Sequence, residues 1–62
     1  MKTIRIQLED IAMKKRWIER DSKEAEEIRE KWNALVPKAE REGITHSEMS
    51  LIWATEIWGE AL

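Results

Sequence analysis

Lys2-Thr3-Ile4-Arg5-Ile6-Gln7-Leu8 is the stretch on which the fold of this 62-residue chain turns. Ile4, Ile6 and Leu8 fall at every second position, which is the period of a half-buried strand, and Thr3, Arg5 and Gln7 then share the opposite, open face. A lone strand leaves its backbone N–H and C=O groups unpaired, and no later segment alternates in the same way. Its hydrogen-bond partner is therefore expected in a second copy of the chain. The expected fold class is mostly α: a short N-terminal β-strand over 2–8 and two or three helices. Two chains would intertwine as a homodimer through an intermolecular two-stranded ribbon, with Ile4, Ile6 and Leu8 at the dimer interface.

Beyond Leu8 the period becomes helical. A helix over about 10–20 opens on Glu9 and Asp10 and carries Lys14, Lys15 and Arg16 later, charges that suit the macrodipole. Ile11, Trp17 and Ile18 are its expected inner face. Asp21 or Ser22 caps the next helix, over 22–42, where Ala25, Ile28, Trp32, Leu35 and Ala39 form one stripe. Pro37 is expected to kink or break it, since an interior proline costs about 3 kcal/mol. Gly43 is a left-handed stop, and Thr45 with Glu48 forms a capping box flanked by the Ile44 and Met49 staple. The last helix is expected over 46–61, apolar around most of its circumference. All of this makes one small domain, 1–62.

Composition narrows the function. Without cysteine, no disulfide or Cys-based zinc site can staple the fold, and oligomerisation is the remaining support for so small a core. No apolar run approaches the roughly 20 residues of a membrane span, and Met1 does not lead into a signal peptide, so a cytoplasmic protein with no membrane partner is expected. His46 is the only histidine and no nucleophile sits beside a base, so an enzyme is not expected, nor a metal site, nor a cofactor. The net charge of −2 hides a gradient, because residues 1–20 carry +3 and residues 42–62 carry −4. An anionic partner would meet the opening third.

The opening Lys-Thr-Ile-Arg-Ile-Gln-Leu-Glu-Asp, with Glu-Gly-Ile-Thr-His-Ser-Glu-Met ahead of the last helix, resembles ribbon-helix-helix repressors and antitoxins. The resemblance implies a paired ribbon in the major groove of double-stranded DNA, with Thr3, Arg5 and Gln7 reading bases. It also implies a phosphate held at a helix N-terminus, by Thr45, His46 and Ser47 or, in another register, by Ser22 and Lys23. Lys2 is a further phosphate contact. Lys14 and Lys15 would add binding without sequence preference. A conventional helix-turn-helix around Gly43 is disfavoured, because no Lys or Arg follows Arg41 to meet the phosphates.

The expected function is thus a sequence-specific transcriptional regulator acting as a homodimer. The alternative is a small protein–protein interaction module, an inhibitor or adaptor, that offers its acidic, Trp-containing C-terminal helix to a partner. Trp53, Ile57 and Trp58 would then line the partner or dimer interface.

Overall fold

The structure is a computed structural model that describes residues 3–62; Lys2, expected to begin the strand and touch phosphate, lies outside the described residues. The described residues form three helices and no strand, which overturns the ribbon. Helix α1 spans Ile4–Lys14 and passes into a 3-10 turn at Lys15–Trp17; α2 spans Lys23–Arg41 and α3 spans His46–Thr55.

The opening segment is helical for reasons visible in its own residues. Thr3 is extended and its hydroxyl accepts the Ile6 N–H at 3.2 Å, an N-cap. Ile4 and Leu8 are four apart, so they satisfy a strand period and a helix period equally. Ile6 breaks the tie. A strand would bury it beside Leu8, yet Ile6 is 44% exposed while Leu8 is completely buried. Past Leu8 the helix face continues through Ile11, Ala12 and Lys15, all buried. Helical bonds such as Gln7 N–H to the Thr3 carbonyl, 3.0 Å, satisfy the backbone within the chain, so the demand for a second strand disappears.

Ser22 caps α2, accepting from the Ala25 N–H, while its own hydroxyl donates to the Glu19 carbonyl. The helix crosses Pro37 without a break. Trp32, Leu35 and Val36 before the proline and Ala39 after it all join the core, and that shared burial holds the helix through the missing hydrogen bond. It stops at Gly43, whose φ of +87° lets the Gly43 and Ile44 N–H groups return to the carbonyls of Glu40 and Ala39. Thr45 then caps α3 through the Glu48 N–H.

Helix α1 packs on both α2 and α3, and Leu8, Ala39 and Met49 form the centre of the core, with Ile4, Trp32, Leu35, Val36, Ile44 and Ile52 around them. Helix α3 ends at Thr55, six residues before the expected limit. Glu56 is extended, Gly59 takes φ +67°, and the chain folds back so that the Gly59 and Ala61 N–H groups donate to the Lys15 and Arg16 carbonyls, both at 2.9 Å. This C-terminal return covers acceptors left open where α1 ends.

Candidate interaction surface

The residues assigned to DNA readout do not share a face. Thr3 is consumed as a cap, and Arg5 reaches across to α3, where its guanidinium lies 3.1 Å from a Glu48 carboxylate oxygen. Gln7 is half-buried on α1. Ser22 and Thr45 are spent on capping, while Lys23, His46 and Ser47 are exposed in first turns, His46 with its Nε2 2.9 Å from Glu40. The dimer assignment of Ile4, Ile6 and Leu8 fails as well, since Leu8 is internal, Ile4 half-buried against the core, and only Ile6 open.

Lys15 carries the largest surprise. The sequence set it beside Lys14 as a macrodipole charge open to DNA, but it is only 2% exposed. Its ammonium donates to the Trp53 carbonyl, sits 3.9 Å from the centre of the Trp53 ring and lies 5.5 Å from that of Trp58. Burial pushes its pKa down from 10.5, nearby Glu56 opposes that, and Arg20 adds to it. A spacing of seven from Leu8 to Lys15 was the available signal, because it returns to the same helix face.

Trp53 and Trp58 face that cation, and Trp32 packs on Trp53. Trp32 and Trp53 stack at 4.8 Å with a tilt of 56°, and Trp53 meets Trp58 edge-on at 5.8 Å. The Arg29 guanidinium covers Trp58 from 5.0 Å and also donates to the Arg20 carbonyl. Trp53 and Trp58 therefore spend much of their surface inside the molecule, although a shallow groove lined by Arg29, Trp32, Asn33, Ser50 and Trp53 remains between α2 and α3. Ile57, by contrast, is exposed. Trp17, expected on an inner face, is 64% exposed, because the 3-10 turn carries it away from the core.

Helix α1 is apolar on two opposite sides. At about 100° per residue, Ile4, Leu8 and Ile11 lie together, while Ile6 and Met13 lie within about 20° of each other on the far side; Trp17 is exposed in the 3-10 turn that follows. That outer stripe is open, Met13 being 50% exposed. Beside it runs a groove of about 270 Å³ lined by Glu9, Ala12 and Met13 of α1 and by Ile52, Thr55 and Glu56 at the end of α3. Its floor is apolar and its charged rim, Glu9 and Glu56, is acidic. The volume falls below the usual range for small-molecule pockets and suits an inserted side chain. Leu51, one turn before Thr55, adds a further apolar side chain at 70% exposure.

Among the described residues no group of three or more His, Asp or Glu gathers as a metal would require, and no helix is long and apolar enough to cross a membrane. No family model matches the chain, and neither a curated protein nor a solved structure matches it.

Proposed function

We propose that this chain is a small, non-catalytic protein-interaction module, of the inhibitor or adaptor kind, that docks a partner helix along the outer stripe of α1 and the adjoining groove against α3. The observation that carries this is the second apolar face of α1. Ile6, Met13 and Trp17 have no role in the core, and open apolar patches on a small domain mark contact sites. The partner's apolar anchors would enter between Met13 and Ile52, and basic residues flanking them would meet Glu9 and Glu56. The alternative drawn from the sequence is thereby kept in substance and moved in place: the acidic end of α3 takes part, but Leu51 and Thr55 face outward while Trp53 and Trp58 pack on Lys15. Readout of DNA by a paired ribbon falls with the strand it required.

A displayed library of random helical peptides tests the proposal. Selection on the wild-type chain should yield basic-flanked amphipathic sequences whose binding drops at least tenfold with Met13→Glu and changes little between 50 and 300 mM salt. Selected peptides indifferent to Met13→Glu, or no selected peptides together with tight, steeply salt-dependent binding of duplex DNA, would reject it.

A further inference from the structure

Arg29 carries a charge to which the fold gives no counter-ion. Its guanidinium belongs to a half-buried residue, donates to the Arg20 carbonyl at 3.1 Å and covers Trp58, yet joins no ion pair among the described residues. A guanidinium has five N–H donors, so most of that capacity is left for another acceptor. Arg29 lines the groove between α2 and α3 together with Trp32, Asn33, Ser50 and Trp53. None of these five is acidic in a chain with 13 Asp and Glu, whereas the groove between α1 and α3 is rimmed by Glu9 and Glu56.

We infer that this groove is a binding site for a small planar aromatic carboxylate, its carboxylate meeting Arg29 and its ring lying on the indoles of Trp32 and Trp53. The planar fork of an arginine matches a carboxylate through two parallel bonds. The indoles supply apolar surface for a ring, and the exposed Asn33 amide and Ser50 hydroxyl supply the few polar groups that fix its orientation. The volume, about 380 Å³, lies within the range of small-molecule sites, above the 270 Å³ of the groove between α1 and α3. The surface is also preformed. Trp32 packs on the core and, at 4.8 Å, on Trp53, which is held in turn by the Lys15 ammonium at 3.9 Å and the edge of Trp58 at 5.8 Å. Binding therefore spends little on ordering the rings. So shallow a groove covers one side of its ligand, and a two-ring probe should bind with a dissociation constant on the order of 0.1–1 mM. The site shares no lining residue with the groove proposed for a partner helix, so either can fail without the other.

Two-dimensional NMR of the isotope-labelled chain, titrated with naphthoate to about 5 mM, reads binding residue by residue. The indole N–H signals of Trp32 and Trp53 and the side-chain amide of Asn33 should shift along a saturating curve, while the backbone signals of Ala12 and Met13, in the other groove, stay in place. Neutral naphthamide should bind at least threefold more weakly than naphthoate, and naphthylmethylammonium at least tenfold. Arg29→Gln should weaken naphthoate binding at least fivefold. Asn33→Asp, an exposed and isosteric exchange, should weaken it as much by setting a carboxylate in the groove. Circular dichroism checks the Arg29 variant, which also loses its contact with Trp58; Asn33→Asp leaves that contact alone and decides the matter if Arg29→Gln unfolds. Lys38→Gln, exposed and outside the groove, removes the same charge as Arg29→Gln and should leave affinity unchanged. The inference is overturned if naphthoate leaves the groove signals in place or shifts those of Met13 instead. It is equally overturned if the ammonium binds as tightly as the carboxylate, if Asn33→Asp keeps the wild-type affinity, or if Lys38→Gln weakens binding as much as Arg29→Gln.

Discussion

Leu8 and Ile6 stand two residues apart and their alanine variants should behave very differently. Leu8 is fully buried against Ala39 and Met49, so Leu8→Ala removes its transfer free energy and opens a cavity, together about 3 kcal/mol. A domain of this size holds only about 3–5 kcal/mol in all, so the variant should sit close to its unfolding midpoint without denaturant. Ile6, 44% exposed, realises about half of its burial, roughly 1 kcal/mol, and alanine returns some 0.4 kcal/mol as the better helix former. The net loss is about 0.5 kcal/mol. With a urea dependence of about 1 kcal/mol per molar, the midpoints should fall by about 3 M for Leu8→Ala and about 0.5 M for Ile6→Ala. Ellipticity at 222 nm measures both. A strand would place Ile6 and Leu8 on one inner face and make them cost alike. Equal losses would therefore refute the assignment of helix to this segment.

Lys15 makes stability depend on alkaline pH. The folded chain holds this ammonium at a disadvantage while the unfolded chain releases it to water at about 10.5, so the folded form gives up its proton first. The penalty is complete below the lowered folded value and fades as pH rises from there towards 10.5. Urea midpoints should accordingly rise across that window for the wild type and stay flatter for Lys15→Met; parallel profiles would mean that the burial of Lys15 carries no penalty. Gly43 is set by backbone alone, since a Cβ there would meet nothing within 4 Å. Gly43→Ala should cost about 1 kcal/mol by thermal unfolding and Gly43→Asn less, because asparagine tolerates the left-handed region; an alanine variant as stable as the parent would show that the turn does not need it.

The parts of this fold that can be read from residues alone are those closed within four or five positions. A hydroxyl at Ser22 or Thr45 finds the N–H three residues on, and Gly43 ends α2 because its own φ permits the turn. The stripe of α2 is equally plain, since Ala25, Ile28, Trp32, Leu35 and Ala39 repeat over about four turns and admit one period. Local chemistry suffices in each case.

The opening segment did not have that protection. Seven residues accommodate both periods, and the choice between them came from Leu8 finding Ala39 and Met49, more than thirty residues away. The outer apolar stripe followed from that choice, because Ile6 could face outward with Met13 only once α1 had become a helix. Lys15 and the return of Glu56–Leu62 are settled the same way. A lysine enters an interior when rings and a carbonyl from a distant helix are already in place to receive its charge, and an early end to α3 is stable when its chain finds the open carbonyls of Lys15 and Arg16. Contacts between segments far apart along the chain decide such matters, and their energies leave no periodic trace in the residues that make them.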